Sequence, residues 1–289
     1  MTEHTQTQSN ALVVGGRGKT GRRVAQRLRD RGVRTRIGSR TAEPPFDWED
    51  PSTWSAALDG IQLVYLTFYP DLAVPGSADK VGAFGRLARD KGVDRLVMLA
   101  GRGEPEAQRS ERAVRDSFDS ATIVRASWFA QNFSESFLLD SVLSGEIALP
   151  AGTAAEPFVD ADDIAEVAVT ALTERGHEGR LYEVTGPRLL TFADAAAEIA
   201  RATGRDVRYR AITSAQFAAA LLDENVPPEV VDLTVELFAV TLDGRNAFVT
   251  DGVREALGRE PRDFGEYARE TAADGVWGGN LVTSVRSAS

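Results

Sequence analysis

The 289-residue chain predicts an α/β fold: a doubly wound parallel sheet with a smaller C-terminal α/β lobe. Three observations carry the prediction. Short apolar runs alternate with helical stretches of ten or more residues, the pattern of parallel strands joined by right-handed crossovers. The first run, residues 11–14, opens into a glycine loop and then a helical pattern. The alternation continues into the second half without a repeat or low-complexity linker, so that half reads as a lobe folded onto the sheet. The expected division is a polar, disordered tail at 1–10, a nucleotide-binding domain at 11–150 and a smaller substrate lobe at 151–289.

The glycine loop holds Gly15, Gly16, Gly18 and Gly21, with Arg17, Lys19 and Thr20 between them. Val24, Ala25 and Leu28 follow at helical spacing, and Gly32 is a C-terminal stop. A loop of this kind lets the backbone approach a pyrophosphate and aims helix N-terminal N–H groups at it. This is the Rossmann arrangement. Two registers fit, Gly16/Gly18/Gly21 and Gly15/Gly18/Gly21. An ATP-type phosphate loop is excluded, because no glycine precedes Gly18 at the spacing it needs.

Residues 33–38 alternate and read as the second strand, ending at Ser39-Arg40. The ribose-reading position of a dinucleotide fold lies here. NAD selection needs a carboxylate for the 2′-hydroxyl, and none is present. A guanidinium pairs with a 2′-phosphate instead, and Arg17 adds a second cation. The reading is NADP(H), with a solvated surface arginine as the plainer alternative for Arg40. A short third strand is expected to end near Asp47, where Asp47 and Trp48 can meet an adenine amino group or simply precede the helix of 52–58.

Residues 61–67 form the next strand, and Thr67, Phe68 and Tyr69 stand at its carboxyl end, where doubly wound sheets bind ligands. A helix over 79–91, a strand over 94–100 ending in Ala100-Gly101, a helix over 104–117 and a strand over 121–126 complete the sheet, and a nicotinamide is expected between the Thr67–Tyr69 loop and the Ala100–Gly101 loop. Beyond it come a helix ending near Gly145, a short strand at 157–160 and a helix over 164–172. A strand follows at 181–185, then a helix over 192–202 capped by Thr191, a strand-like run at 207–212, helices at 214–222 and 228–240, and a last helix at 264–271 before a loose tail. Asp160, Asp162 and Asp163 invite a metal reading, but acids favour a helix N-terminus, and that role is preferred.

Composition narrows the chemistry. A net charge of −10 disfavours nucleic acid and anionic membranes as partners. With no Cys, disulfides, thiolate metal sites and Cys nucleophiles are excluded, and a cytoplasmic location is expected. No apolar run approaches a membrane span. Two histidines, His4 and His177, and no G-x-S-x-G elbow leave no serine hydrolase and no transition-metal site. The Tyr-x-x-x-Lys dyad of short-chain reductases is also absent. Four residues after each of the five tyrosines stand Tyr69, Ala73, Gly186, Thr213 and Thr271. Ala100 stands where a strand-end serine is usual.

Several segments together resemble the NmrA-like atypical short-chain dehydrogenase/reductase family, and within it the festuclavine/agroclavine dehydrogenase group and its bacterial relatives. They are Val14-Gly-Gly-Arg-Gly-Lys-Thr-Gly21, Ser39-Arg40, Phe46-Asp-Trp48, Ser127-Trp-Phe-Ala-Gln-Asn-Phe133, Pro157-Phe-Val-Asp-Ala-Asp-Asp-Ile-Ala165, Gly186-Pro-Arg-Leu-Leu190 and Gly258-Arg-Glu-Pro-Arg-Asp-Phe264. The resemblance spans nearly the whole chain. It implies a Rossmann fold with a small C-terminal lobe, NADP(H), Gly15/Gly18/Gly21 as the working register, and often no Tyr-x-x-x-Lys. The family also contains non-catalytic redox sensors, which would contact a protein partner. Hydride addition to an iminium ion neutralises a cation and needs no acid; quinones are similarly undemanding. The expected function is therefore an NADPH-dependent reductase of an imine, iminium, quinone or carbonyl small molecule. Trp128, Phe129, Asn132 and Phe133 are the candidate substrate walls, although buried aromatics as often only pack. Tyr69 is the candidate proton donor for a carbonyl.

Overall fold

The computed structural model describes residues 9–278. In chain order the elements are β1 (Asn10–Val14), α1 (Lys19–Asp30), β2 (Arg34–Gly38), α2 (Trp54–Leu58), β3 (Leu63–Leu66), α3 (Ser77–Asp90), β4 (Arg95–Gly101), α4 (Pro105–Ser117), β5 (Thr122–Ala126), α5 (Leu138–Ser144), β6 (Glu146–Leu149), β7 (Ala155–Glu156), α6 (Ala161–Thr173), β8 (Leu181–Val184), β9 (Leu190–Thr191), α7 (Phe192–Thr203), β10 (Arg208–Ala211), α8 (Ser214–Asp223), α9 (Pro228–Thr241), α10 (Gly252–Leu257) and α11 (Phe264–Ala273). Among the described residues no helix is long and apolar enough to cross a membrane. The expected tail at 1–10 lies outside the described residues up to residue 8, but Asn10 already belongs to β1 and the Ser9 carbonyl accepts from Arg34 N. The loose C-terminal tail also lies outside them from residue 279.

The described chain divides into two compact units. The first holds the residues up to Ser127 together with Ala161–Thr185 and Val249–Pro261; the second holds Trp128–Asp160, Gly186–Phe248 and the residues from Arg262. A single boundary near 150 therefore gives way to an interleaved division. The physical reason is sheet pairing and helix packing. β8 extends the main sheet beside β5, with Ile123 opposite Leu181 and Ala126 opposite Val184. α6 is tied to α1 by Asp162, which binds both Arg23 and Arg27.

The first unit is built on a six-stranded, wholly parallel sheet in the order β2-β1-β3-β4-β5-β8. β1 and β3 are buried along nearly their whole length, as expected where helices cover both faces. The strand order reverses at β1, whose neighbours are β2 and β3. Ligands of open α/β sheets bind at such a reversal, outside the carboxyl ends of the strands.

No strand forms near Asp47. Residues 46–50 make a loop with one bridge, Asp47 to Asp50. Its backbone groups are taken locally: Asp47 N–H donates to Thr53 Oγ1 at 3.0 Å, and the Asp47 carbonyl accepts from Trp54 Nε1 at 2.7 Å. Pro44 and Pro45, which bring no N–H to a ladder, precede it. The loop drives Phe46 and Trp48 into an aromatic cluster with Trp54 and Phe84, at ring separations of 5.1 to 6.3 Å.

The second unit has its own core, in which Phe133, Phe158, Phe192, Phe264 and Trp277 are buried. It carries two small ladders: β6 parallel to β10, and β7 antiparallel to β9. The strand expected at 157–160 lies earlier, at β7, while Val159 bridges Phe129. α7 and α8 begin with complete capping boxes, Thr191 with Asp194 and Thr213 with Gln216.

These contacts set a stability order. Phe84→Ala removes a fully buried ring from the aromatic cluster and should cost about 3–5 kcal/mol. Thr191→Ala removes one cap and should cost about 1 kcal/mol. Urea unfolding midpoints compared at equal slope check the order.

Candidate dinucleotide site

The glycine loop is set by contacts that exclude side chains. Val14 pairs with Gly38, and Gly15 N–H donates to the Gly38 carbonyl at 3.3 Å. Gly15 lies in the left-handed region at φ +72°, where L side chains are strained. A Cβ there would also sit 2.1 Å from Thr67 Oγ1. That hydroxyl donates to the Val14 carbonyl at 3.0 Å, locking the end of β3 onto the end of β1. A Cβ at Gly21 would meet the Gly15 carbonyl oxygen at 2.2 Å, so only glycine lets the first turn of α1 close on the loop. Gly18 N–H turns back to the Gly15 carbonyl at 2.9 Å, and Gly18 is the N-cap of α1. Gly16 differs: a Cβ there first meets the movable end of the Ile37 side chain. The left-handed backbone and the Thr67 hydroxyl thus select Gly15, and the Gly15 carbonyl selects Gly21, with Gly18 between them.

The first turn of α1 contains no acidic residue, so its positive end is not neutralised from within the helix. Thr20 is buried and Lys19 half-buried. Arg17 is exposed on the loop and Arg40 is exposed just beyond β2. Neither is paired with a carboxylate among the described residues. Ser39, between Gly38 and Arg40, has an enclosed hydroxyl oxygen with no hydrogen-bond partner. Its carbonyl is occupied, accepting from Ala42 N and Phe46 N at 3.1 and 2.9 Å.

The other expected cofactor residues divide by burial. Asp47 is half-buried and its Oδ1 accepts from Glu49 N at 3.0 Å. Trp48 is a core residue: its ring is buried, and its indole N–H donates to the Thr67 carbonyl at 3.1 Å. Phe68 packs on Trp48 with ring centroids 4.8 Å apart. Tyr69 is 71% exposed, and no cation or hydroxyl is bonded to its phenol among the described residues. Burial pushes the neighbouring strand tyrosine, Tyr65, above the ordinary phenol range, which keeps it protonated. Ala100 is buried at the end of β4.

Gly101, the last residue of β4, has a neighbour the sequence reading missed. The Glu104 carboxyl occupies the space a side chain at 101 would need: a Cβ there would lie 2.1 Å from Glu104 Oε1. No donor or cation is bonded to this carboxyl among the described residues, although Glu104 is the N-cap of α4. Burial, with the Asp71 and Glu111 carboxylates nearby, pushes Glu104 up to about 8. Burial raises Asp71 too, against a hydrogen bond at 2.8 Å from Ala73 N. The available signal was a glutamate directly before Pro105 in the loop leaving a buried strand.

In the second unit, Phe133 is fully buried among Phe158, Phe192 and Phe264, and its carbonyl accepts from Trp277 Nε1 at 2.8 Å. Its ring offers no surface to a ligand. Trp128 is half-buried and packs edge-on against Phe192 and Phe238. Phe129 and Asn132 are half-buried beside it in the chain.

The three aspartates around the start of α6 diverge. Asp160 accepts from Gln131 and Arg262, Asp162 from Arg23 and Arg27, and Asp163 pairs with Arg259 at 2.7 Å. Burial pushes Asp162 up, but the two guanidiniums outweigh it and hold the acid below its ordinary value. Among the described residues no three His, Asp or Glu side chains converge as metal ligands. His177 sits in a turn, its Nδ1 2.7 Å from the Tyr182 hydroxyl.

The glycine geometry makes a prediction. Gly21→Ala drives a methyl group into the Gly15 carbonyl and should weaken dinucleotide binding at least ten-fold. Gly16→Ala, whose methyl meets the movable Ile37 side chain first and the Val13 carbonyl oxygen only at 3.2 Å, should weaken it several-fold less. Calorimetric titration of both variants checks the contrast.

No protein-family model matches the chain. An NAD(P)H azoreductase of Xenophilus azovorans is 33% identical, over 91% of this chain and 98% of the relative. Festuclavine synthase II of Penicillium roqueforti is 31% identical, over 89% of this chain and 96% of the relative. Among solved structures, the Citrobacter sp. triphenylmethane reductase complexed with NADP(H) shares the fold, with a TM-score of 0.73 at 21% identity over 91% of this chain and all of that one. With a glycine loop at the strand reversal and full-length relatives above 30% identity, the chain belongs to the NmrA-like atypical short-chain dehydrogenase/reductase family of oxidoreductases.

Proposed function

We propose that this protein is an NADPH-dependent reductase that delivers hydride to a small organic acceptor (an imine or iminium, a quinone or a carbonyl) without a Tyr-x-x-x-Lys dyad. The observation that carries the reading is the end of β2. An exposed Arg40 and an enclosed, unpartnered Ser39 hydroxyl stand there with no carboxylate in the ribose-reading position, and the glycine loop after β1 carries a second exposed cation, Arg17. Buried polar atoms are normally satisfied, and an orphan next to free cations suits an oxyanion ligand. Relatives with reductase names, one of them an NAD(P)H azoreductase, support the same class.

The bound nicotinamide nucleotide would supply the hydride; the chain supplies position and electrostatics. Gly15, Gly18 and Gly21 bring backbone to the diphosphate, and the N-terminus of α1 offers it N–H groups. Ser39, Arg40 and Arg17 bind the 2′-phosphate. The Thr67–Val14 hydrogen bond holds the β3 end, where Phe68 and Tyr69 form the wall on the nicotinamide side. Tyr69 has no lysine four residues on and no bonded cation, so nothing activates its phenol as an acid. We assign it to acceptor contact.

Arg40→Ala should weaken NADPH binding about ten- to a hundred-fold, the range for a lost hydrogen bond to a charged group, and leave NADH nearly unchanged. Wild-type protein that binds NADH more tightly than NADPH would overturn the cofactor assignment. NADPH oxidation with a panel of iminium ions, quinones, azo compounds and ketones tests catalysis. Tight binding with no turnover on any of them would replace the reductase by an NADP(H) sensor.

A further inference from the structure

The Glu104 backbone starts α4, its carbonyl accepting from Gln108 N at 3.1 Å, but among the described residues its side chain makes no bond that holds the fold. Ion pairs account for the charges around it. Glu111, from α4, binds Arg125 of β5 at 2.5 Å, and Glu183 of β8 binds Arg125 at 3.2 Å and Arg102 at 2.6 Å. Asp71, from the loop after β3, spends an oxygen on Ala73 N. The Glu104 carboxyl alone has no bonded donor or cation among the described residues, yet it is packed against the last residue of β4. β4 itself runs beside β3, paired with it from Leu63–Arg95 to Leu66–Met98 before its last residues turn to β5, and the end of β3 is bonded to the glycine loop through Thr67. An unpaired carboxyl beside two other carboxylates is stabilised in its neutral form, and a neutral carboxylic acid is a proton donor.

We propose that Glu104 is the proton donor of this site, giving its proton to the heteroatom of a neutral acceptor while hydride adds to the adjacent atom. The inference rests on the reductase reading above. For a carbonyl, a C–H bond forms with the hydride's electron pair, and the C=O π pair moves to oxygen. The oxygen then bonds the proton released from Glu104 Oε. The acceptor is reduced by two electrons, one hydrogen coming as hydride from the reduced nicotinamide nucleotide and one as the Glu104 proton, and water reprotonates the carboxylate. An azo acceptor balances in the same way, with hydride on one nitrogen and the proton on the other. Glu104 thereby fills the role left open by the missing dyad, and widens the acceptors from cations to neutral C=O, C=N and N=N groups.

The pH behaviour follows. With Glu104 pushed up to about 8, the acid form predominates at neutral pH. Turnover of a neutral acceptor should be full below that value and fall as pH rises through it. The same shift acts on stability: the folded state holds the proton more tightly than the unfolded chain, so stability declines as pH rises from the ordinary carboxylate range up to about 8.

The test compares wild type, Glu104→Gln and Glu104→Asp on a ketone or azo dye and on an N-alkylated iminium ion, with NADPH binding measured separately. Glu104→Gln should lower kcat on the neutral acceptor by about a hundred-fold or more, as for loss of a general acid, and abolish the alkaline limb. The loss on the iminium should be at least ten-fold smaller. Glu104→Asp should restore part of the rate together with the limb. Without cofactor, infrared difference titration should show a carboxyl ionising near pH 8 that Glu104→Gln lacks. Equal losses on both acceptors, no loss on the neutral one, or no such carboxyl would overturn the role while leaving the reductase reading in place. A wild type that reduces no acceptor would remove both.

Discussion

The constraint on which the site depends is the meeting of Gly15, Gly21 and Thr67. A left-handed residue ends β1, the first turn of α1 closes on its carbonyl, and the threonine from β3 fills the space a side chain would have taken. Three elements are fixed by one contact. β1 has β2 on one side and β3 on the other, so its end sets where both neighbouring strands deliver their loops. Ser39, Arg40 and Tyr69 owe their positions to it. The geometry leaves the loop backbone at Gly15 and Gly18 exposed directly after a buried strand, which is what a diphosphate requires.

Around that point the electrostatics are graded. Most arginines of the first unit are engaged. Arg23 and Arg27 hold Asp162, and Arg125 lies between Glu111 and Glu183. Partners of Arg102, whose side chain is 3% exposed, could not be removed cheaply, since breaking a buried pair strands a charge. Pairs such as Arg89 with Asp90 are exposed and contribute little. Among the described residues Arg17, on the loop after β1, and Arg40, beyond β2, carry no ion pair, and the Glu104 carboxyl after β4 has no bonded donor. The separation of sign matches a ligand with a phosphate at one end and a proton-demanding reaction at the other.

Most of the sheet and helix pattern was legible. The buried strands read as apolar runs, and the helix boundaries followed Gly, Pro and Thr caps to within a few residues. The failures share a cause. A strand was expected near Asp47, where tryptophan and threonine side chains take the backbone partners instead. β6 and α10 were not foreseen. β6 is four residues long and forms through its partner β10, distant in sequence. Trp48 reads in the sequence as an adenine neighbour and Phe133 as a substrate wall, yet burial makes both core residues. Aromatic residues serve either purpose, and periodicity does not distinguish them.

By itself the sequence determined the doubly wound class, the glycine loop and the absence of an acid at the ribose-reading position. Each is a local property: strand, turn and helix preferences are written over a few consecutive residues, and a missing carboxylate is visible without coordinates. Only the tertiary structure decided which glycines the loop cannot replace, how the chain is shared between two compact units, and which carboxyl stands unpaired at the end of β4. Those depend on what lies across space from a residue. Thr67 is 52 residues from Gly15 in the chain, yet its hydroxyl lies 2.1 Å from where a side chain at Gly15 would begin, and Glu104 is defined by the partners it lacks.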